Sequence, residues 1–163
     1  MNFFFGVTVS LIVLFVVYLV ANKFQANNDM NYLEELSAQS KQYSFNVTQK
    51  NLSIDEAVLD ELAELINTEI PEYRAYTITE EKGNNKFTIV IAQARGSQWA
   101  RYMVQQYVFV LTDKKLNTKE GDKLVQGSKL LEGKVKNTFV LYSIAPANKF
   151  KVETLLETLS NAS

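Results

Sequence analysis

Neither cysteine nor histidine occurs anywhere in the 163 residues. Without cysteine there is no disulfide, no thiolate nucleophile and no soft metal site. Without histidine there is no imidazole base, no Ser-His pair and no imidazole metal ligand. Catalysis would fall to carboxylates, lysine or tyrosine. Adjacent acids occur at Glu34-Glu35, Asp55-Glu56 and Glu80-Glu81. The first pair falls in a short helix, the second opens a helix and the third lies at a turn, so each has a structural reading. The chain therefore reads as a non-enzyme that needs no cofactor and no metal. Strong charge of either sign is also missing. Seventeen basic residues stand against 18 acidic ones, a formal net charge of −1, which carries no nucleic-acid signature.

Charge is absent altogether from the N-terminus, where Lys23 is the first charged side chain. The segment Phe3 to Ala21, FFFGVTVSLIVLFVVYLVA, is an almost unbroken apolar run. As a helix it would reach about 28 Å, close to the roughly 30 Å of a bilayer's hydrocarbon. This predicts a transmembrane anchor over 1–22, with Phe3, Phe4, Phe5, Leu11, Ile12, Val13, Leu14, Phe15, Leu19 and Ala21 facing lipid. A cleavable signal peptide is the rival. It wants a basic n-region and a shorter apolar stretch, whereas Met1-Asn2 has no Lys or Arg. Orientation cues compete: Lys23 favours a cytoplasmic C-terminal side, while the lack of cysteine suits an oxidising compartment. The expectation is a single-pass inner-membrane protein with its C-terminal domain in the periplasm.

Residues 23–42 read as a juxtamembrane linker and helix, and 43–163 as one α+β domain with a mainly antiparallel sheet flanked by helices. Tyr43, Phe45 and Val47 alternate with polar residues, the pattern of a half-buried strand. Ser53 to Glu56 matches a capping box, and Ile54, Val58, Leu62, Leu65 and Ile66 continue as a helical stripe up to a stop at Pro71. Strands are predicted over Tyr73 to Thr79 and Phe87 to Gln93, joined by a turn around Gly83-Asn84-Asn85. The second is apolar on both faces and reads as central. Trp99 to Thr112 is too long for an ordinary strand. It predicts a bulge near Gln105-Gln106, or a strand beginning at Tyr107. Thr138 to Ile144 reads as a buried strand, and Phe150, Val152, Leu155, Leu156 and Leu159 as a last amphipathic helix.

The stretch Asp113 to Asn137 is the least ordered in pattern, with seven lysines and four acids, and within it Leu124, Val125, Leu130 and Leu131 read as a short helix or an edge strand. Because its charges alternate, it reads as a solvated loop rather than as a site for an acidic partner. Trp99, Arg101, Tyr102 and Tyr107 form a candidate protein interface, since aromatics beside arginine typify binding hot spots. The same residues would equally serve as core if buried. Asn46-Val47-Thr48 and Asn51-Leu52-Ser53 match the glycosylation pattern, which matters only in a eukaryotic secretory pathway.

An uncharged N-terminus, an apolar segment at Phe3 to Ala21 and one small domain make a layout that resembles the small accessory proteins of ToxR-like transmembrane regulators, the ToxS, PsaF and MyfF type. The resemblance implies a partner that is a membrane-bound transcription regulator, such as one of fimbrial or virulence genes, which this chain would stabilise or activate. It implies a membrane and a protein as partners, and no direct nucleic-acid contact. Two alternatives stay open: a structural subunit of a secretion or pilus assembly machine, and a periplasmic sensor of a small ligand.

Overall fold

In the computed structural model the structure describes residues 7–17, 32, 35–95, 104–146 and 149–163. Contacts divide the chain into two units, Met1–Glu35 and Leu36–Ser163.

In the first unit a helix, α1, runs over 7–17. At about 1.5 Å per residue its described stretch rises about 16 Å, roughly half of a bilayer's hydrocarbon. No helix among the described residues is long and apolar enough to cross a membrane. This corrects the expected transmembrane anchor, and with it the single-pass inner-membrane placement with a periplasmic domain. Apolar composition alone does not make a span; an uninterrupted helix of about 20 residues does. Of the expected anchor residues, Leu11, Ile12, Val13, Leu14 and Phe15 lie on α1 and are exposed. Phe3, Phe4, Phe5, Leu19 and Ala21 lie outside the described residues.

The second unit is α+β. A helical turn over 36–39 runs into a 3-10 helix at Ser40–Tyr43. Leu36 is fully buried there, and Ser44 adopts the left-handed conformation (φ 62°) that turns the chain into the sheet. Six strands follow: β1 (Phe45–Gln49), β2 (Glu72–Glu80), β3 (Lys86–Arg95), β4 (Val104–Thr112), β5 (Leu131–Val135) and β6 (Thr138–Pro146). They form one sheet in the order β1-β2-β3-β4-β6-β5, antiparallel at every pairing. Tyr43 belongs to the 3-10 turn rather than to β1. The register of β4 against both β3 and β6 is continuous, so the bulge predicted at Gln105-Gln106 does not form. The sheet's irregularity lies in β1 instead, between Val47 and Gln49.

Both faces of the sheet are covered. On one face Ala75, Val90, Ala92, Tyr107, Phe109, Leu111 and Val140 form a cluster with Leu62 of helix α2 (Glu56–Ile66). Leu52, Ile54, Val58, Leu65 and Ile66 pack at its margin. Pairing in register explains the shared face: Ala75 opposes Val90, and Val90 opposes Phe109. The intervening residues Tyr76, Ile78, Phe87, Ile89, Ile91, Val108 and Val110 point the other way and are also buried. Helix α3 (Val152–Ala162) buries Val152, Leu155, Leu156, Leu159 and Ala162 at helical spacing, none of them in the α2-side cluster.

The start of α2 differs from the sequence expectation. Its N-cap is Asp55, whose Oδ1 accepts from the Ala57 N–H at 2.8 Å. Ser53 lies two residues before that cap. The preceding chain is already engaged with β2: the Leu52 N–H donates to the Ala75 carbonyl at 2.9 Å, and the Ile54 N–H to the Tyr73 hydroxyl at 3.2 Å. Those bonds hold 52–54 extended, so the helix begins at the first residue they release. Asp55→Ala should therefore lower stability by about 1 kcal/mol. Ser53→Ala should change it by less than about 0.5 kcal/mol. Chemical denaturation of both variants checks the assignment; the reverse ranking would return the cap to Ser53.

Candidate functional site

Of the four predicted interface residues, Trp99, Arg101 and Tyr102 lie outside the described residues. Tyr107 does not join a surface patch. It sits in β4 with its side chain in the α2-side core, 6% exposed. Strand register decides this, since Tyr107 opposes Ala92 and shares its face with Phe109. Tyr107, Phe109 and Tyr142 form a stacked row with centroid separations of 6.3 and 5.9 Å.

The Tyr107 hydroxyl donates to Gln105 Oε1 at 3.3 Å. Burial raises its pKa above the ordinary 10.0. The sign of the pH effect follows. The fold favours the neutral phenol, so this contribution is fully present below about pH 10 and is lost as pH rises through the raised value. Tyr107→Phe should flatten the alkaline fall of stability, measured as urea midpoints from about pH 8 to pH 11. An unchanged alkaline limb would remove Tyr107 as its source. Tyr43, half-buried, is also raised, by burial first and then by the carboxylates Glu153 and Glu157 of α3.

Of the adjacent acids, Asp55 and Glu80 have structural partners. Asp55 caps α2 and lies 3.9 Å from Lys136 Nζ, while Glu61 Oε2 accepts from the Lys136 N–H at 2.9 Å. Together these fasten α2 to the β5–β6 hairpin. Glu80 Oε2 accepts from Asn85 Nδ2 at 3.0 Å across the β2–β3 turn. Glu34 lies outside the described residues. Among the described residues, no three His, Cys, Asp or Glu side chains converge as a metal site.

Among the described residues, two surfaces stand out as candidate sites. The first is α1, where apolar side chains are exposed from 44% at Val9 to 65% at Leu14. The second was read from the sequence as a solvated loop and is instead folded down. Between β4 and β5, Leu116, Leu124 and Val125 are buried. The chain around them encloses a depression of about 560 Å³ lined by residues of 118–132. Leu124 and Val125, read from the sequence as part of a short helix or edge strand, are buried but belong to neither helix nor strand.

The geometry thus defines an α+β domain whose six-stranded sheet is covered on both faces. Compared with protein-family models, curated proteins and solved structures, the chain matches none of them.

Proposed function

We propose that this chain is a non-enzymatic accessory protein that binds another protein and stabilises or activates it, with α1 as the element the partner takes up. The observation that carries this reading is the exposure of α1. Val7, Val9, Leu11, Ile12, Val13, Leu14, Phe15, Val16 and Val17 are all exposed, and they point in every direction around the helix. A helix apolar all round belongs inside other structure. Each side chain removed from water contributes about 1.5–3 kcal/mol, so occupation of α1 is a large driving force.

The form of the exposure narrows the occupant. A second α1 packed alongside would cover one stripe and leave the opposite side wet. A partner that surrounds α1, with several helices or a deep apolar groove, covers all of it. The resemblance to the ToxS type points to a transcription regulator as that partner. The structural roles of Asp55 and Glu80 support the non-catalytic part of the reading.

The test places a photo-crosslinking amino acid at Leu14 in the full chain, in the native host. It should capture a transcription regulator whose level or activity falls when the gene for this chain is deleted. A chain lacking Phe3 to Ala21, expressed at the native level, should rescue poorly. Full rescue by the shortened chain, or no change in any regulator on deletion, defeats the proposal. Capture of a multi-subunit assembly ring would favour the structural-subunit alternative instead.

A further inference from the structure

Residues 113–130, between β4 and β5, contain neither helix nor strand. Irregular loops longer than about 12–15 residues are uncommon in compact domains and are usually functional or disordered. This one is held in place along its length. Leu116, Leu124 and Val125 are buried. The Asn117 N–H donates to the Ala162 carbonyl at 3.3 Å, and the Thr158 hydroxyl of α3 donates to the Lys123 carbonyl. The Ser143 hydroxyl of β6 donates to the Lys129 carbonyl at 3.1 Å, and the Ser128 hydroxyl to the Ile144 carbonyl at 2.5 Å. Ordering so many residues costs about 1–2 kcal/mol of backbone entropy each. What that order produces is the depression of about 560 Å³, within the size range of small-ligand sites. Two of its bends are Gly121 (φ 99°) and Gly127 (φ 76°), conformations that side chains disfavour. A Cβ at either would meet nothing within 4 Å, so the walls stay open there.

Charge states what the depression accepts. Its lining includes Lys119, Lys123 and Lys129 together with Glu120, Asp122 and Glu132. Two of the carboxylates hold the loop's own shape: Asp122 Oδ2 accepts from the Lys119 N–H at 2.6 Å, and Glu132 Oε1 from the Thr118 hydroxyl. The three lysines and three acids balance formally. A purely anionic or purely cationic guest would meet its own sign as often as the opposite one. A guest carrying both an ammonium and a carboxylate can pair with each in turn, making charge-assisted hydrogen bonds of both kinds.

We propose that the depression bounded by 118–132 binds a small amphoteric ligand of the amino-acid or short-peptide class. It draws on residues distant in sequence from α1, so its failure leaves the accessory reading standing, and the converse.

The test uses the full chain and three probes: the dipeptide Lys-Glu, citrate as an anion alone and spermidine as a cation alone. Amide chemical shifts are followed by NMR. The dipeptide should give saturable shifts concentrated in 118–132, with citrate and spermidine at least about tenfold weaker. Lys123→Gln with Lys129→Gln, and separately Glu120→Gln, should each weaken the dipeptide by about tenfold. All three side chains are exposed, so the variants should fold, and Lys86→Gln in β3 should leave binding unchanged. Absence of saturation, shifts centred elsewhere, or equal binding of a single-sign probe would overturn the assignment.

Discussion

Phe109→Ala should destabilise the domain by about 3–5 kcal/mol, the range for removing a buried aromatic ring. Phe109 is fully buried at the centre of the sheet. It lies on β4, which pairs with β3 on one side and β6 on the other. Its ring stacks between those of Tyr107 and Tyr142, so truncation loses two aromatic contacts as well as area. The site is also poorly able to collapse. A strand held by ladders on both sides cannot move into the cavity without breaking register. That places the expected cost towards the upper end of the range. Urea unfolding of the full chain, followed by far-UV circular dichroism, measures it. A loss under about 1 kcal/mol would mean that the sheet relaxes around the gap, contrary to the packing described.

Local pattern and tertiary outcome agree best where a side chain's own period decides its burial. Phe87, Ile89 and Ile91 against Val90 and Ala92 read as a strand covered on both sides, and all five are buried. The stripe from Val58 to Ile66 reads as one face of a helix, and Leu62 is its fully buried member. Boundaries were less legible because distant residues set them. Asp55 displaces Ser53 as cap because Ala75 and Tyr73, some 20 residues on, hold the chain before it. The helix ends at left-handed Asn67, whose backbone N–H reaches back to Glu64, before Pro71 has any effect.

Strand β5 was legible only as one of two options, a short helix or an edge strand around Leu130 and Leu131, and its extent was not. Leu131, Gly133 and Val135 share a face, but the middle position carries no side chain. Leu65 of α2 lies there, 3.3 Å from where a Cβ would be. The close approach of a helix removed the apolar residue that would have completed the alternation. The interface expectation at Tyr107 failed through register, which a composition of aromatics and arginine does not contain. The apolar run at the N-terminus shows the opposite limit. Its composition was unambiguous, whereas the length of helix it forms among the described residues was not set by composition.

Leu124→Asp should be among the most damaging single substitutions in the chain, and its damage should be local. Leu124 is fully buried in the segment between β4 and β5. An unpaired carboxylate there would cost at least about 4 kcal/mol if the surroundings held still. They need not hold still. The segment is fastened by side-chain hydroxyls and single backbone bonds rather than by a ladder, so it can open while the sheet persists. The observed loss is then capped by the free energy of that opening. Hydrogen exchange should show protection falling across 113–130 while the β2–β3–β4 ladder keeps most of its own. Acidification should partly restore the segment. Burial raises the introduced carboxyl's pKa above its unfolded value, so the cost of its charge is absent below the unfolded pKa of about 3.9 and grows from there until the folded value is reached, while the cost of the neutral carboxyl in place of leucine remains. The conservative Leu124→Met should leave both regions close to wild type. Loss of protection across the whole sheet at once would show this segment to be part of the cooperative core. Unchanged exchange in Leu124→Asp would show that Leu124 does not hold the segment down, and the depression it helps to form would lose its structural basis.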